Sequence, residues 1–152
     1  MGIECTHEGW KGSHNAFTTW RRKLAEVAGL PPLDLMEGFY TSLAPYNFGS
    51  VPTLSSIADK ETAERLRVLE PGLPIQWACL KPDALHELLY QNYRGALTPP
   101  RCLAVAARLE ELMPLLPTTE APVHIRNWRE KTQVFIDALR RAAAANETFR
   151  FL

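Results

Sequence analysis

Apolar residues recur along this chain at two spacings, and three stretches carry the helical one over several turns. From 13 to 29, Phe17, Trp20, Leu24, Val27 and Ala28 fall at the i, i+3, i+4, i+7 positions of one helix face. Ser13 or Asn15 can cap the start, and Gly29, with Pro31 and Pro32 beyond it, marks the stop. From 99 to 116, after Thr98 as cap, Leu103, Ala106, Leu109, Leu112 and Met113 make a second face. The longest stripe runs from 122 to 146, through Ile125, Trp128, Thr132, Phe135, Ile136, Leu139, Ala142 and Ala143, with Asn146 as a left-handed stop. A shorter helix opens at Lys81-Pro82-Asp83 and turns Leu85, Leu88 and Leu89 inward. A charged one over 59–69 starts at Asp59. Residues 73–80 read as extended. The second spacing, strict alternation, marks 148–152 (Thr-Phe-Arg-Phe-Leu) as a strand expected to pair near Ile3.

These elements predict an α+β fold, mostly α, as one domain over 1–152. About four main helices pack on the Trp20, Leu88, Leu109 and Phe135 faces, with a small terminal β element. The long stretch 30–56 lacks either period but holds Phe39, Tyr40, Tyr46 and Phe48. That much aromatic area argues against disorder. The rings either pack over the core or wall a flat ligand.

The chain is organised around the corner at 85–102. A helical repeat breaks there at Gly95 and restarts at Thr98, Pro99 and Pro100. Between the two parts lie Tyr90, Gln91, Asn92, Tyr93 and Arg94, a polar and aromatic patch at a helix end.

Composition narrows the classes. Seventeen Lys and Arg balance seventeen Asp and Glu. That balance argues against a protein that grips a long nucleic acid by its phosphates. Three cysteines (Cys5, Cys79, Cys102) with no close pairing suit a reducing compartment, so the cytoplasm is the expected location. No apolar run reaches the roughly 18 residues of a membrane span, and the first residues lack a signal-peptide pattern.

Catalytic and metal motifs fare poorly. His86-Glu87 starts an H-E-x-x-H, but position 90 is Tyr90, so the zinc-ligand pair is absent. Cys5, His7 and His14 lack the close pairs of a metal site. Glu110 and Glu111 are neighbours on a helix and do not converge on one bond. No phosphate loop, nucleophile elbow or Ser-His-Asp order occurs.

Three blocks resemble a family of small hypothetical proteins of phages and bacteria. The first is Gly12-Ser-His-Asn-Ala-Phe17 followed by Trp20-Arg-Arg. The second is the corner, continuing into Leu97-Thr-Pro-Pro-Arg-Cys102 and Ala107-Arg-Leu-Glu-Glu-Leu112. The third is Trp128-Arg-Glu-Lys-Thr-Gln-Val-Phe-Ile136 with the Ala-rich stretch and a final aromatic. Where members of that family carry a loop like H-S-D-C-D-G-E, this chain has Tyr90-Gln-Asn-Tyr-Arg-Gly-Ala96. The resemblance implies that any cation or acid-base chemistry of the family loop is lost here, because an Arg cannot replace an anionic ligand.

What remains at the corner is a set of donors and aromatic faces suited to an anion or a base. The expected function is therefore a non-catalytic binder of a small anionic, nucleotide-like ligand, with no cofactor. Its ligand-binding residues are Tyr90, Gln91, Asn92, Tyr93 and Arg94, with Trp20, Arg21, Trp128, Arg129 and His14 as neighbours. The family context suggests a sharper form, a phage sponge that sequesters a nucleotide signal of host immunity. Two alternatives stand beside it: a protein-interaction or structural module with a host protein as partner, and a divergent enzyme. A homo-oligomer is compatible with the sequence; a membrane partner is not expected.

Overall fold

The computed structural model describes residues 2–36, 75–90, 95–118, 121–122 and 125–152. The expected helix over 59–69, the aromatic residues Phe39 to Phe48 and the corner residues 91–94 lie outside them, as does the side chain of Tyr90. The fold is α+β and mostly helical. The chain divides into two compact units, residues 1–24 with 83–152, and residues 25–82.

In the first unit, β1 (Gly2–Glu4) and β2 (Lys11–Ser13) pair antiparallel, with Ile3 opposite Gly12. A tight turn at Thr6–Glu8 connects them. Ser13 then starts α1 (His14–Val27): its hydroxyl accepts the Ala16 N–H at 3.0 Å, the side-chain cap such a helix start needs. After α2 (His86–Tyr90) comes β3 (Gly95–Leu97), and then α3 (Pro99–Leu112), whose two prolines sit where no backbone donor is missed. The long helix α4 (Trp128–Ala144) precedes β4 (Phe149–Phe151).

The terminal strand forms as expected, but its main partner differs. β4 pairs with β3, Phe151 opposite Gly95 and Phe149 opposite Leu97. Its other side meets the end of β1 through a Cys5–Phe151 bridge and the Leu152 N–H donating to the Glu4 carbonyl at 2.7 Å. The strand thus ties the Gly95 corner to the N-terminal hairpin.

The core is a run of touching aromatic rings. Trp10 stacks on Trp20 (5.1 Å), Trp20 meets Phe135 (4.8 Å), Phe135 meets Phe149 (5.1 Å), and Phe149 meets Phe151 (5.7 Å). Phe17 closes the circuit against Trp10 and Phe151. Aromatic pairs add to burial through offset and edge-to-face geometry. One hydroxyl satisfies the Trp20 indole: Thr132 donates to the Trp128 carbonyl and accepts the Trp20 N–H at 3.0 Å. Gly9 is required by this packing, since a Cβ there would lie 2.7 Å from the Phe149 ring and 3.2 Å from Ala138 Cβ.

The stripes hold at their centres, with Val27, Ala28, Met113 and Ala143 only half-buried, and differ further at three places. Leu103 is exposed, and Cys102 and Val105 take the core side with Ala106, Leu109 and Leu112. Those five follow the 3–4 spacing, and Leu103 falls about 100° off it. The last long helix starts at Trp128, not Pro122. Arg126 is left-handed (φ 68°) and breaks the helix, and Asn127 restarts it by accepting the Arg129 and Glu130 N–H groups. Arg21, expected as a neighbour of the ligand, is fully buried. Phe17, Arg21 and Leu24 are themselves an i, i+4, i+7 set, and the Arg21 guanidinium lies 4.5 Å over the Phe17 ring.

In the second unit, α1 ends in a Schellman motif: Gly29 (φ 75°) donates to Glu26 and Leu30 donates to Ala25. A turn at Leu33–Leu35 leads to a parallel bridge between Met36 and Ile75. In the stretch read as extended, Trp77–Cys79 form a turn between extended Gln76 and Leu80, and residues 73–74 lie outside the described residues.

Candidate functional site

The structure disperses the expected ligand residues it describes. Trp20 is buried in the aromatic core, its indole N–H bound to Thr132. Arg21 is buried over Phe17. Trp128 is buried, with Lys23 over its ring at 5.6 Å. Arg129 closes the end of the preceding segment, donating to the Leu116 carbonyl (2.9 Å) and the Pro114 carbonyl (3.2 Å). His14 opens α1 half-buried. Tyr90 ends α2, and Gln91, Asn92, Tyr93 and Arg94 lie outside the described residues.

A different group converges on a groove of about 480 Å³. One wall is the hairpin segment Glu8, Gly9, Trp10 and Lys11; the other is Ile125, Arg126, Glu130, Lys131 and Val134 at the start of α4. The Lys131 ammonium lies 5.0 Å over the Trp10 ring and joins the two walls. The Trp10 indole N–H is buried with no hydrogen-bond partner among the described residues.

Two groove residues hold a conformation that L-residues rarely adopt, Glu8 (φ 61°) and Arg126 (φ 68°). The hairpin turn survives this because it is tied down around the strained residues. Arg141 donates to the His7 carbonyl, the Arg150 N–H donates to the Thr6 hydroxyl at 2.9 Å, and the Gly9 N–H donates to the Thr6 carbonyl. Strain of this kind costs on the order of 1–3 kcal/mol and collects at functional sites. The charged groups of the groove were not legible as a site. Segments 8–11 and 125–134 meet only through docking of the hairpin on α4, and no spacing in either one announces it.

Other reactive groups are held quiet. Burial pushes the Cys5 thiol up to about 12, with the Arg21 charge pulling it back and Glu4 adding a little. Burial also raises Cys102, whose thiol lies 3.5 Å from the Leu97 carbonyl. Neither is a nucleophile at neutral pH. His86 is pushed below the usual histidine range by burial, against the pull of Asp83 and Glu87. Among the described residues no group of three or more His, Cys, Asp or Glu could hold a metal ion. No helix among them is long and apolar enough to cross a membrane.

No protein-family model, curated protein or solved structure matches the chain.

Proposed function

We propose that this protein is a non-catalytic binder of a small anionic ligand, and that the hairpin–α4 groove is where the ligand sits. The observation that carries this is the convergence of Lys11, Arg126 and Lys131 on one concave space. None of the three makes an ion pair with a described residue. Three cations that form no ion pair with a described residue attract an anion, and partial enclosure strengthens each contact. Arg126 offers a planar fork for phosphate or carboxylate, and the lysines act as point charges.

The sharper form, a sponge for a nucleotide immune signal, rests on the family resemblance. The groove adds nothing to it, because Trp10 is buried, stacked on Trp20 and covered by Lys131. A protein-interaction role has one observation in its favour. Leu103 and Leu115 are 54% and 60% exposed. Single exposed leucines are ordinary on a protein surface, so this reading stands second.

The test is thermal unfolding with phosphate, pyrophosphate and mononucleotides, on wild type and Lys131→Gln. Ligand at 100 times its dissociation constant adds about 2.7 kcal/mol of stability. We expect a shift in wild type that shrinks in Lys131→Gln. No shift with any of these anions overturns the anion reading and moves the weight to a protein partner.

A further inference from the structure

The groove carries acids as well as bases. Glu8 and Glu130 line it together with Lys11, Arg126 and Lys131, which leaves one surplus positive charge. Each wall brings both signs, Glu8 and Lys11 on one and Arg126, Glu130 and Lys131 on the other. Yet none of these five side chains pairs with another, or with any other described residue. Elsewhere on the same unit, neighbouring opposite charges do pair, as in Arg101–Glu87, Arg108–Asp83 and Arg140–Glu110. A site for a bare anion has no use for two carboxylates, because each repels the ligand. The strained backbone at Glu8 and Arg126 fixes where one acid and one base of the set begin.

We infer that the ligand of this groove is amphoteric, a small molecule with a phosphate or carboxylate and a protonated amine. Lys11, Arg126 and Lys131 take the anionic end, and Glu8 and Glu130 take the ammonium. The surplus positive charge matches a ligand of net charge near −1. The inference rests on the anion reading above and narrows it to one chemical class.

The experiment uses a matched pair of probes, O-phosphoethanolamine and N-acetyl-O-phosphoethanolamine, which differ in the charge of one nitrogen. Calorimetric titration into the full chain at low salt gives both affinities. A charge-assisted contact to the amine should make the unacetylated probe about tenfold tighter. In Glu8→Gln and Glu130→Gln that ratio should fall toward one, while the acetylated probe binds as well as before or better. Lys131→Gln should weaken both probes. The carboxamide changes fall on exposed side chains, and circular dichroism confirms that the variants are folded. Equal affinity of wild type for the two probes overturns the amphoteric ligand and leaves the anion reading standing. A ratio unchanged in both Gln variants overturns the roles of Glu8 and Glu130. Failure of both probes to bind wild type overturns the inference together with the reading it rests on.

Discussion

The surface around α3 and the groove beside α4 carry similar charges and treat them oppositely. Around α3, Arg108 donates through Nε to both Asp83 oxygens (3.1 and 3.2 Å) and through Nη1 to Glu111 (2.9 Å). Arg101 reaches Glu87, and Arg140 crosses from α4 to Glu110. In the groove, five charges form no ion pair with one another or with any other described residue. The difference lies in the backbone. Around α3 an i, i+3 helical spacing or two facing elements put opposite charges within reach, whereas Glu8–Lys11 and Arg126–Glu130 each begin on a left-handed residue outside an α-helix, where the same spacings do not bring side chains together. Exposed ion pairs are worth only about 0–1 kcal/mol each. Leaving charges unpaired therefore costs the fold little and leaves them available to a ligand.

Three changes test this contrast. Phe135→Ala strikes the core beneath both regions, because its ring touches Trp20 and Phe149. We expect a loss of about 3–5 kcal/mol in urea unfolding. A near-zero effect would mean that the two surfaces do not share this core. Arg108→Ala breaks the paired surface. Arg108 and Asp83 are mostly shielded, and Asp83 also accepts the Leu85 N–H at 2.8 Å. The loss should be about 1–2 kcal/mol, with binding at the groove unchanged; a loss of binding would show that the two regions are coupled. Arg126→Gly sharpens the contrast from the other side. It relieves a left-handed residue at the cost of a more flexible unfolded chain. Stability should stay level or rise by up to about 1 kcal/mol in the same assay, while anion affinity falls. A clear destabilisation would mean that Arg126 is a structural residue after all.

The core was largely legible in sequence because its residues repeat at 3.6. Phe17, Trp20 and Leu24, then Ala106, Leu109 and Leu112, then Phe135, Ile136 and Leu139 are all buried. Arg21 misled because its charge outweighed its position on the stripe. The start of α4 was hidden because a left-handed arginine carries no signature; a glycine there would have given one. The groove was illegible for the same reason. Glu8 and Arg126 look like ordinary surface residues, and only the docking of the hairpin on α4 gives them a common purpose. The histidine and arginine singled out near the corner, His14 and Arg129, sit at helix starts, and Arg129 directs its guanidinium to the Leu116 and Pro114 carbonyls of the segment before it.

The crowding at Gly9 has a consequence for sequence drift. Positions 9 and 149 are far apart in the chain but share one volume, since any side chain at 9 would meet the buried Phe149 ring. They are therefore free to change only as a couple. A lineage that acquired alanine at 9 would have to shrink the residue at 149 as well, and would open a gap beside Phe135 and Phe151. In any set of homologues these two positions should covary, with glycine at 9 wherever an aromatic stands at 149.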